Sequence, residues 1–280
     1  MAMTVRTNVA ALGASRQLGR TNQSLGNTLD RISSGLRITK AADDAAGLGV
    51  ATNLDTAKLS TRVAIRNAND GISIIQTAEC AANETTDILQ RMRELAVQSS
   101  SETLDNDERA YIQDEFVELS EEVARIAAVT EFNGIAISDG STTQLSVQVG
   151  IANAASSRIT IDLGDLSTST LGVQTGTGTT AIDLSTVSGA QSAIDDIDSA
   201  LDSVNSYRSD LGAVQNRLDS SIANSEIYTE SLSAASSQIQ DADFATETAE
   251  MTKLQIMQQA GVAALAQAKN MNQSVLSLLS

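Results

Sequence analysis

Four stretches of this chain place an apolar or small residue at every third or fourth position, and no proline interrupts any of them. That spacing marks one face of a helix, and without proline such helices can run very long. Ile74, Ala78, Ala81, Thr85, Ile88, Met92 and Leu95 keep it strictly, with Ile65, Ala68, Ile72 and Ile75 as a second stripe beside them. Two stripes imply neighbours on two sides. The spacing returns at Ile112, Phe116, Leu119, Val123 and Ile126. It returns again at Ile194, Ile197, Leu201, Val204, Leu211, Leu218, Ile222 and Leu232, with Arg208 and Gln215 as polar members. With no Trp, three Phe and three Tyr, the chain has little for an aromatic core. The fold class is therefore mainly α, a long antiparallel helical bundle or coiled coil with small residues between the helices.

The last stretch, Met251 to Ser280, is the most demanding. Leu254, Met257, Gly261, Ala264, Ala268, Met271, Val275 and Leu278 read as an a/d heptad seam. Its only charges are Lys253 and Lys269, and Ile256, Val262, Leu265, Leu276 and Leu279 lie off the seam. A helix apolar nearly all round must be buried, and a terminal one is not expected to find that burial in its own chain alone. Residues 1–33 form a weaker helix with Val5, Val9, Leu12, Leu18, Leu25, Leu29 and Ile32 as its larger apolar positions. Such a helix is marginal in water, so it is expected to stay disordered until it meets a partner, most obviously the C-terminal tail.

Ser33-Ser34-Gly35 ends the first helix, and 36–42 reads as an irregular connector. Asp43 and Asp44 suit the positive end of a second helix, which runs to about Ser99. After a polar turn, Asp105, Asn106, Asp107 and Glu108 read as the N-terminal cap of a third helix, 107–130. Asn133-Gly134 is a strong turn signal. Over 135–163, Leu145, Val147 and Val149, then Ile159, Ile161 and Leu163, alternate as one or two β-hairpins. Residues 164–188, rich in Ser, Thr and Gly, read as a short surface excursion or insertion site. A fourth helix spans 190–237, and 238–244 is a second connector. The expected domains are 1–42 and 239–280 as two halves of one assembly element, with 43–238 as a rod-like helical domain.

The net charge of −17 is unevenly placed: residues 1–40 carry +5, 251–280 carry +2 and the middle −24. Phosphate binding needs a positive field, so acidity argues against nucleic acid as the partner of the middle. The basic segment 1–40 could meet nucleic acid or a membrane surface, but its charges are spread over forty residues rather than clustered. There is no His, the commonest general base and metal ligand. Glu121-Glu122 and Asp195-Asp196 are helix neighbours that cannot converge on one point. Gly47 and Gly49 lack a preceding strand and a following Lys-Ser/Thr, so they form no phosphate loop. Cys80, the single cysteine, allows no disulfide framework and reads as a small buried or half-buried side chain. No catalytic residue, metal site, cofactor or membrane insertion is expected. A lipid-bound tail would need a basic polar face that two lysines do not supply.

Specific strings then carry a resemblance. RISSGLRITKAADDAAGL (31–48), RELAVQ (93–98), IQDE (112–115) and EFNG (131–134) occur on the N-terminal side. LGAVQNRL (211–218), IQDADFATE (239–247), QIMQQAG (255–261) and VLSLL (275–279) follow on the C-terminal side. In this order they resemble bacterial flagellin, over roughly 1–163 and 190–280. A hook–filament junction protein shares the plan, but the C-terminal strings resemble flagellin itself. The resemblance implies a structural subunit that polymerises into the extracellular flagellar filament for swimming. Its terminal helices would pair as a coiled coil in the filament core, through Leu12, Leu25, Leu29, Ile32, Leu254, Met257, Ala264, Met271, Val275 and Leu278. It implies type III export without a cleaved signal peptide. It implies as partners copies of the chain itself, hook–filament junction proteins, a filament cap and a secretion chaperone. Some flagellins are detected by Toll-like receptor 5, and the matching contact positions are Arg91, Leu95 and Glu115. The short 164–188 stretch stands where many flagellins carry large outer domains, so this chain looks minimal. Two departures stand out: Cys80 replaces a usual glycine, and Ala82 a usual leucine.

Overall fold

The computed structural model describes residues 7–175 and 182–277, with side chains as far as Asn270. Six helices and four short strands follow one another. They are α1 (Val9–Ser34), α2 (Ala45–Ser99), α3 (Asn106–Val129), β1 (Glu131–Phe132), β2 (Ile135–Ala136), β3 (Gln144–Gln148), β4 (Arg158–Asp162), α4 (Thr168–Leu171), α5 (Val187–Gln240) and α6 (Phe244–Ser277). The helices α2 and α5 have 55 and 54 residues, about 80 Å each at 1.5 Å per residue. The chain divides into two compact units, residues 59–229 and the two ends, 1–58 with 230–280.

In the unit of residues 59–229, the seams on α2, α3 and α5 are buried as their spacing predicts. Ile74, Ala78, Ala81, Thr85, Ile88, Met92 and Leu95 are all buried, as are Ile112, Phe116, Val123 and Ile126. Two clusters result. One joins α2 from Ala81 to Ala96, α3, α5 from Ala190 to Val204, and Leu166, Leu171, Val173, Ile182 and Leu184. The other packs the β3–β4 hairpin and Ile137 on α2 from Ala68 to Ala78 and on Leu211 and Leu218 of α5. The hairpin register pairs Leu145 with Ile161 and Val147 with Ile159, which keeps the alternating apolar residues on one face. Gly71 lets it sit close, because a Cβ there would lie 3.1 Å from Val147 Cγ2. At Asn133-Gly134 both residues adopt positive φ, 51° and 77°, as a two-residue hairpin turn requires. The pairing begins at Glu131, four residues earlier than the sequence alternation indicates.

The turn into α3 is fixed at both helix ends. Asp105 Oδ1 accepts from the Glu108 N–H at 2.8 Å and Glu108 Oε2 accepts from the Asp105 N–H at 3.2 Å, so the expected cap is a reciprocal capping box. The buried Arg109 guanidinium donates to the Ser99 and Ser101 carbonyls at 3.1 and 2.8 Å. It thereby satisfies acceptors left open at the C-terminus of α2, where a cation is also favoured by the dipole.

Three expectations are corrected. Residues 164–188 are not a mere surface excursion: Leu166, Leu171, Val173, Ile182 and Leu184 are buried in the first cluster. Their backbone is held by side chains, with Ser120 donating to the Val173 carbonyl at 3.0 Å, Ser99 to that of Leu184 at 2.7 Å, and the Leu184 N–H to Gln113 Oε1 at 2.7 Å. Cys80 is exposed rather than buried, because Ala78, Ala81 and Ala82 around it take the inward positions. The tail helix begins at Phe244 and α5 runs to Gln240, so the second connector is only 241–243. Asp243 caps α6, accepting from the Ala245 N–H at 2.9 Å.

Two stability predictions follow from these contacts. Leu184→Ala should lower the unfolding free energy of the full chain by about 2–5 kcal/mol, the range for a truncated core leucine. A loss under about 0.5 kcal/mol in urea titration, typical of surface sites, would return the segment to the surface. Asp105→Ala should cost about 1 kcal/mol through the lost cap, read in the same titration.

Candidate assembly surface

The unit formed by the two ends is built on α1 and α6, which pack antiparallel. Asn8 Nδ2 donates to the Ala268 carbonyl at 2.8 Å, Gln258 Nε2 to Asn22 Oδ1 at 2.9 Å, and Arg31 Nη1 to Glu247 Oε1 at 3.4 Å. A Cβ at Gly261 would lie 3.3 Å from Leu18 Cδ1, so this glycine brings the two helices close at that point.

On α1 the covered face is Ala11, Ala14, Leu18, Thr21, Leu25, Thr28 and Ile32, steps of three and four throughout. Thr21 and Thr28 are its most buried members, and Thr21 Oγ1 donates to the Gln17 carbonyl at 3.1 Å. On α6 the covered face is Met251, Leu254, Gln258, Gly261, Leu265 and Ala268. The sequence heptad therefore agrees at Leu254, Gly261 and Ala268. Between them, Gln258 and Leu265 take the places it assigned to Met257 and Ala264. The covered face is thus turned by about one position from the sequence heptad between these shared residues.

The candidate assembly residues divide accordingly. Leu25, Ile32 and Leu254 are covered within the α1–α6 pair. Leu12 at 55% exposure, Leu29, Met257 and Ala264 lie outside it, beside Val9, Ile256 and Val262. The backbone of Met271 and Val275 continues α6, but their side chains and the whole of Leu278 lie outside the described residues, as does Val5. The pair thus covers one face and leaves bulky apolar residues on others. Sequence reasoning missed Thr21, Thr28 and Gln258 because it counted only apolar side chains. The strict seven-residue step from Ala14 to Thr21 to Thr28 was the available signal.

Charge separates the units cleanly. The ends, 1–58 and 230–280, hold nine basic and nine acidic side chains, while 59–229 holds nine basic and twenty-six acidic. All of the net −17 belongs to the second of these.

The other candidate residues lie in the 59–229 unit. Arg91 on α2 donates to Glu115 Oε1 on α3 from Nε and Nη2 at 3.1 and 2.8 Å, and to Glu94 Oε2 at 2.9 Å. The hydrogen bond it donates to Glu115, then the one to Glu94, holds the guanidinium pKa above its usual value. Arg91 and Glu115 are half-exposed, whereas Leu95 is 1% exposed and belongs to the core beneath them. Among the described residues no group of His, Cys, Asp or Glu is placed to hold a metal ion, and no helix is long and apolar enough to cross a membrane.

Comparison with known proteins agrees with this architecture at both ends. Residues 5–143 match the bacterial flagellin N-terminal helical region, and residues 194–279 match the bacterial flagellin C-terminal helical region. The flagellin of Halalkalibacterium halodurans is 43% identical over 277 residues, covering 99% of this chain and all of the relative. The flagellar filament 33 kDa core protein of Treponema phagedenis is 39% identical over 289 residues, covering 99% of this chain and all of the relative. Among solved structures, the crystal structure of Bacillus cereus flagellin is 29% identical, with a TM-score of 0.49, covering 57% of this chain and 88% of that one. With helical regions at both ends, a length equal to that of compact relatives and no large variable domain, the chain belongs to the bacterial flagellin family, the non-catalytic structural subunits of the extracellular flagellar filament.

Proposed function

We propose that this chain polymerises through its α1–α6 pair, which packs against the same pair of neighbouring copies to form the filament interior. The observation that supports this reading is the set of bulky apolar side chains the pair leaves uncovered: Val9, Leu12, Leu29, Ile256, Met257 and Val262. Leu12, Leu25, Leu29, Ile32, Leu254, Met257, Ala264, Met271, Val275 and Leu278 are the proposed core of the polymer, the covered ones within each pair and the rest between pairs. The acidic 59–229 unit would form the outer layer. Residues 1–42 and 239–280 act as the two halves of the filament core domain, and 43–238 as the rod. Export proceeds through the flagellar type III route without a cleaved signal peptide. A secretion chaperone holds the apolar tail before assembly, and hook–filament junction proteins and a filament cap meet the polymer at its ends.

A free subunit must order its ends and bring acidic units together before it gains apolar burial, so growth on an existing end outruns nucleation. Two measurements test this. Deleting 1–40 or 241–280 should abolish filaments in electron micrographs and leave the 59–229 unit helical by circular dichroism; truncated protein that still forms tubes would overturn the proposal. Seeded growth should outpace unseeded growth, and both should accelerate between about 0.01 and 0.15 M salt as the Debye length falls from ~30 to ~8 Å. Rates indifferent to salt would remove repulsion between outer units as the barrier.

A second reading is recognition by Toll-like receptor 5. It is supported by Arg91 and Glu115 standing half-exposed on adjoining helices and fixed by their ion pair. Leu95, buried in the free chain, would act by holding α2 in place. Arg91→Ala and Glu115→Ala should each weaken receptor activation by about tenfold, equivalent to 1.4 kcal/mol, with unchanged helicity. Unchanged activation would dismiss the reading.

A further inference from the structure

Asn133 is the one asparagine of the chain that is followed by glycine. The two residues form the exposed turn between β1 and β2, with φ of 51° and 77°. On either side of it Phe132 pairs with Ile135 and Glu131 with Ala136. Among the described residues, no hydrogen bond engages the Asn133 side chain or the Gly134 N–H. Asparagine is a thermolabile residue because its side-chain amide carbon is an electrophile beside the next backbone nitrogen. Glycine leaves that nitrogen unshielded, having no Cβ. Every other asparagine is followed by a residue that carries a Cβ. Within α2 and α5 the following amide is also committed to the carbonyl four residues back. Asn153, in the loop after β3, precedes Ala154 and has its Oδ1 held by Arg158 at 2.7 Å.

We propose that Asn133 is a self-modification site, which deamidates in the folded chain and thereby opens the β1–β2 hairpin. Hydroxide takes the Gly134 amide proton, and the nitrogen attacks the Asn133 side-chain carbonyl carbon. The new C–N bond closes a succinimide ring, and the side-chain nitrogen takes a proton from water and leaves as ammonia. A water molecule then opens the ring at either carbonyl. Opening at one restores the ordinary main chain with aspartate at 133. Opening at the other routes the main chain through the former side-chain carbon, as isoaspartate. No oxidant or reductant is consumed. The two products differ structurally. Aspartate before glycine suits the same two-residue turn, whereas isoaspartate adds one carbon to the backbone of a turn closed by only two residues. The ladder beyond the turn then loses its register. Its next bond runs from the Ile137 N–H to the Thr130 carbonyl at 3.1 Å, and Ile137 is buried in the second cluster with Phe132 packed against it. Either product also adds a negative charge to the acidic 59–229 unit.

The test is prolonged incubation of the full-length protein in mildly alkaline and mildly acidic buffer, with helicity followed throughout. Peptide mass mapping would locate the exchange of –NH2 for –OH, and enzymatic methyl transfer to isoaspartyl carboxylates would report the rerouted product. Hydrogen exchange would report the Ile137 amide. In the wild type, conversion should be confined to Asn133, run faster in the alkaline buffer and proceed without loss of helicity. The isoaspartyl fraction should lose protection at Ile137. Asn133→Gly, which suits the turn and carries no side-chain amide, should accept no methyl groups and keep that protection. Asn133→Asp should keep it too. The proposal is overturned if Asn133 stays intact, if another asparagine converts first, or if conversion begins only as helicity is lost. It is equally overturned if isoaspartate forms and Ile137 remains protected, or if Asn133→Asp alone removes the protection.

Discussion

Everything in the 59–229 unit depends on how closely α2 and α5 can approach the elements between them. The buried faces are lined by alanine at 64, 68, 78, 81, 82 and 96 of α2, and at 190, 193 and 200 of α5. Small side chains draw helices together and leave a thin core, which a few large residues then fill: Ile75, Leu89, Met92, Leu95 and Phe116 are all essentially inaccessible. Such a core has little tolerance for changes in volume. Ala82, fully buried, is one place where this core carries a small side chain.

Most of this was legible in the sequence because long helices average over many positions. A seam of seven or eight residues at helical spacing leaves no competing reading, and Asn133-Gly134 and the Asp105–Glu108 box are chemical signals with a mechanism. What failed to show lies where burial is not periodic. Leu166, Leu171, Val173, Ile182 and Leu184 occur at intervals of five, two, nine and two, which fit neither helix nor strand. Their burial depends on Ser99, Gln113 and Ser120, residues far away in sequence whose side chains satisfy the backbone. On the terminal helices the error was one of category. Thr21, Thr28 and Gln258 are polar by type but make the inner face, because a helix pair with small partners can bury a threonine methyl and turn its hydroxyl to its own backbone.

The distribution of charge and apolar surface fits a protein that must remain soluble alone and yet adhere to itself. With no net charge on the ends, nothing electrostatic opposes their stacking. With a net −17 on the 59–229 unit, copies held close repel one another through solvent, and that repulsion is screened by salt. Self-association and solubility are thus assigned to different parts of one chain, and ionic strength can alter one without weakening the other.

The α1–α6 pair resolves the remaining question of why a tail apolar nearly all round does not simply collapse within its own chain. The face it offers to α1 alternates Met251, Leu254 and Leu265 with Gln258, Gly261 and Ala268, and it meets Leu18, Leu25 and Ile32 set among alanines and threonines. The richer side chains, Ile256, Met257 and Val262, stay exposed, as do Val9, Leu12 and Leu29 on α1. Fully burying each is worth roughly 1.5–3 kcal/mol, an upper figure because the unfolded chain already hides some of that surface. Since the six are 39–65% exposed, about 5–10 kcal/mol is within reach of neighbouring copies. The intrachain contact need only be strong enough to set the two helices in register. The larger stabilisation is withheld until a second subunit arrives, which makes the pair a template for assembly rather than a finished core.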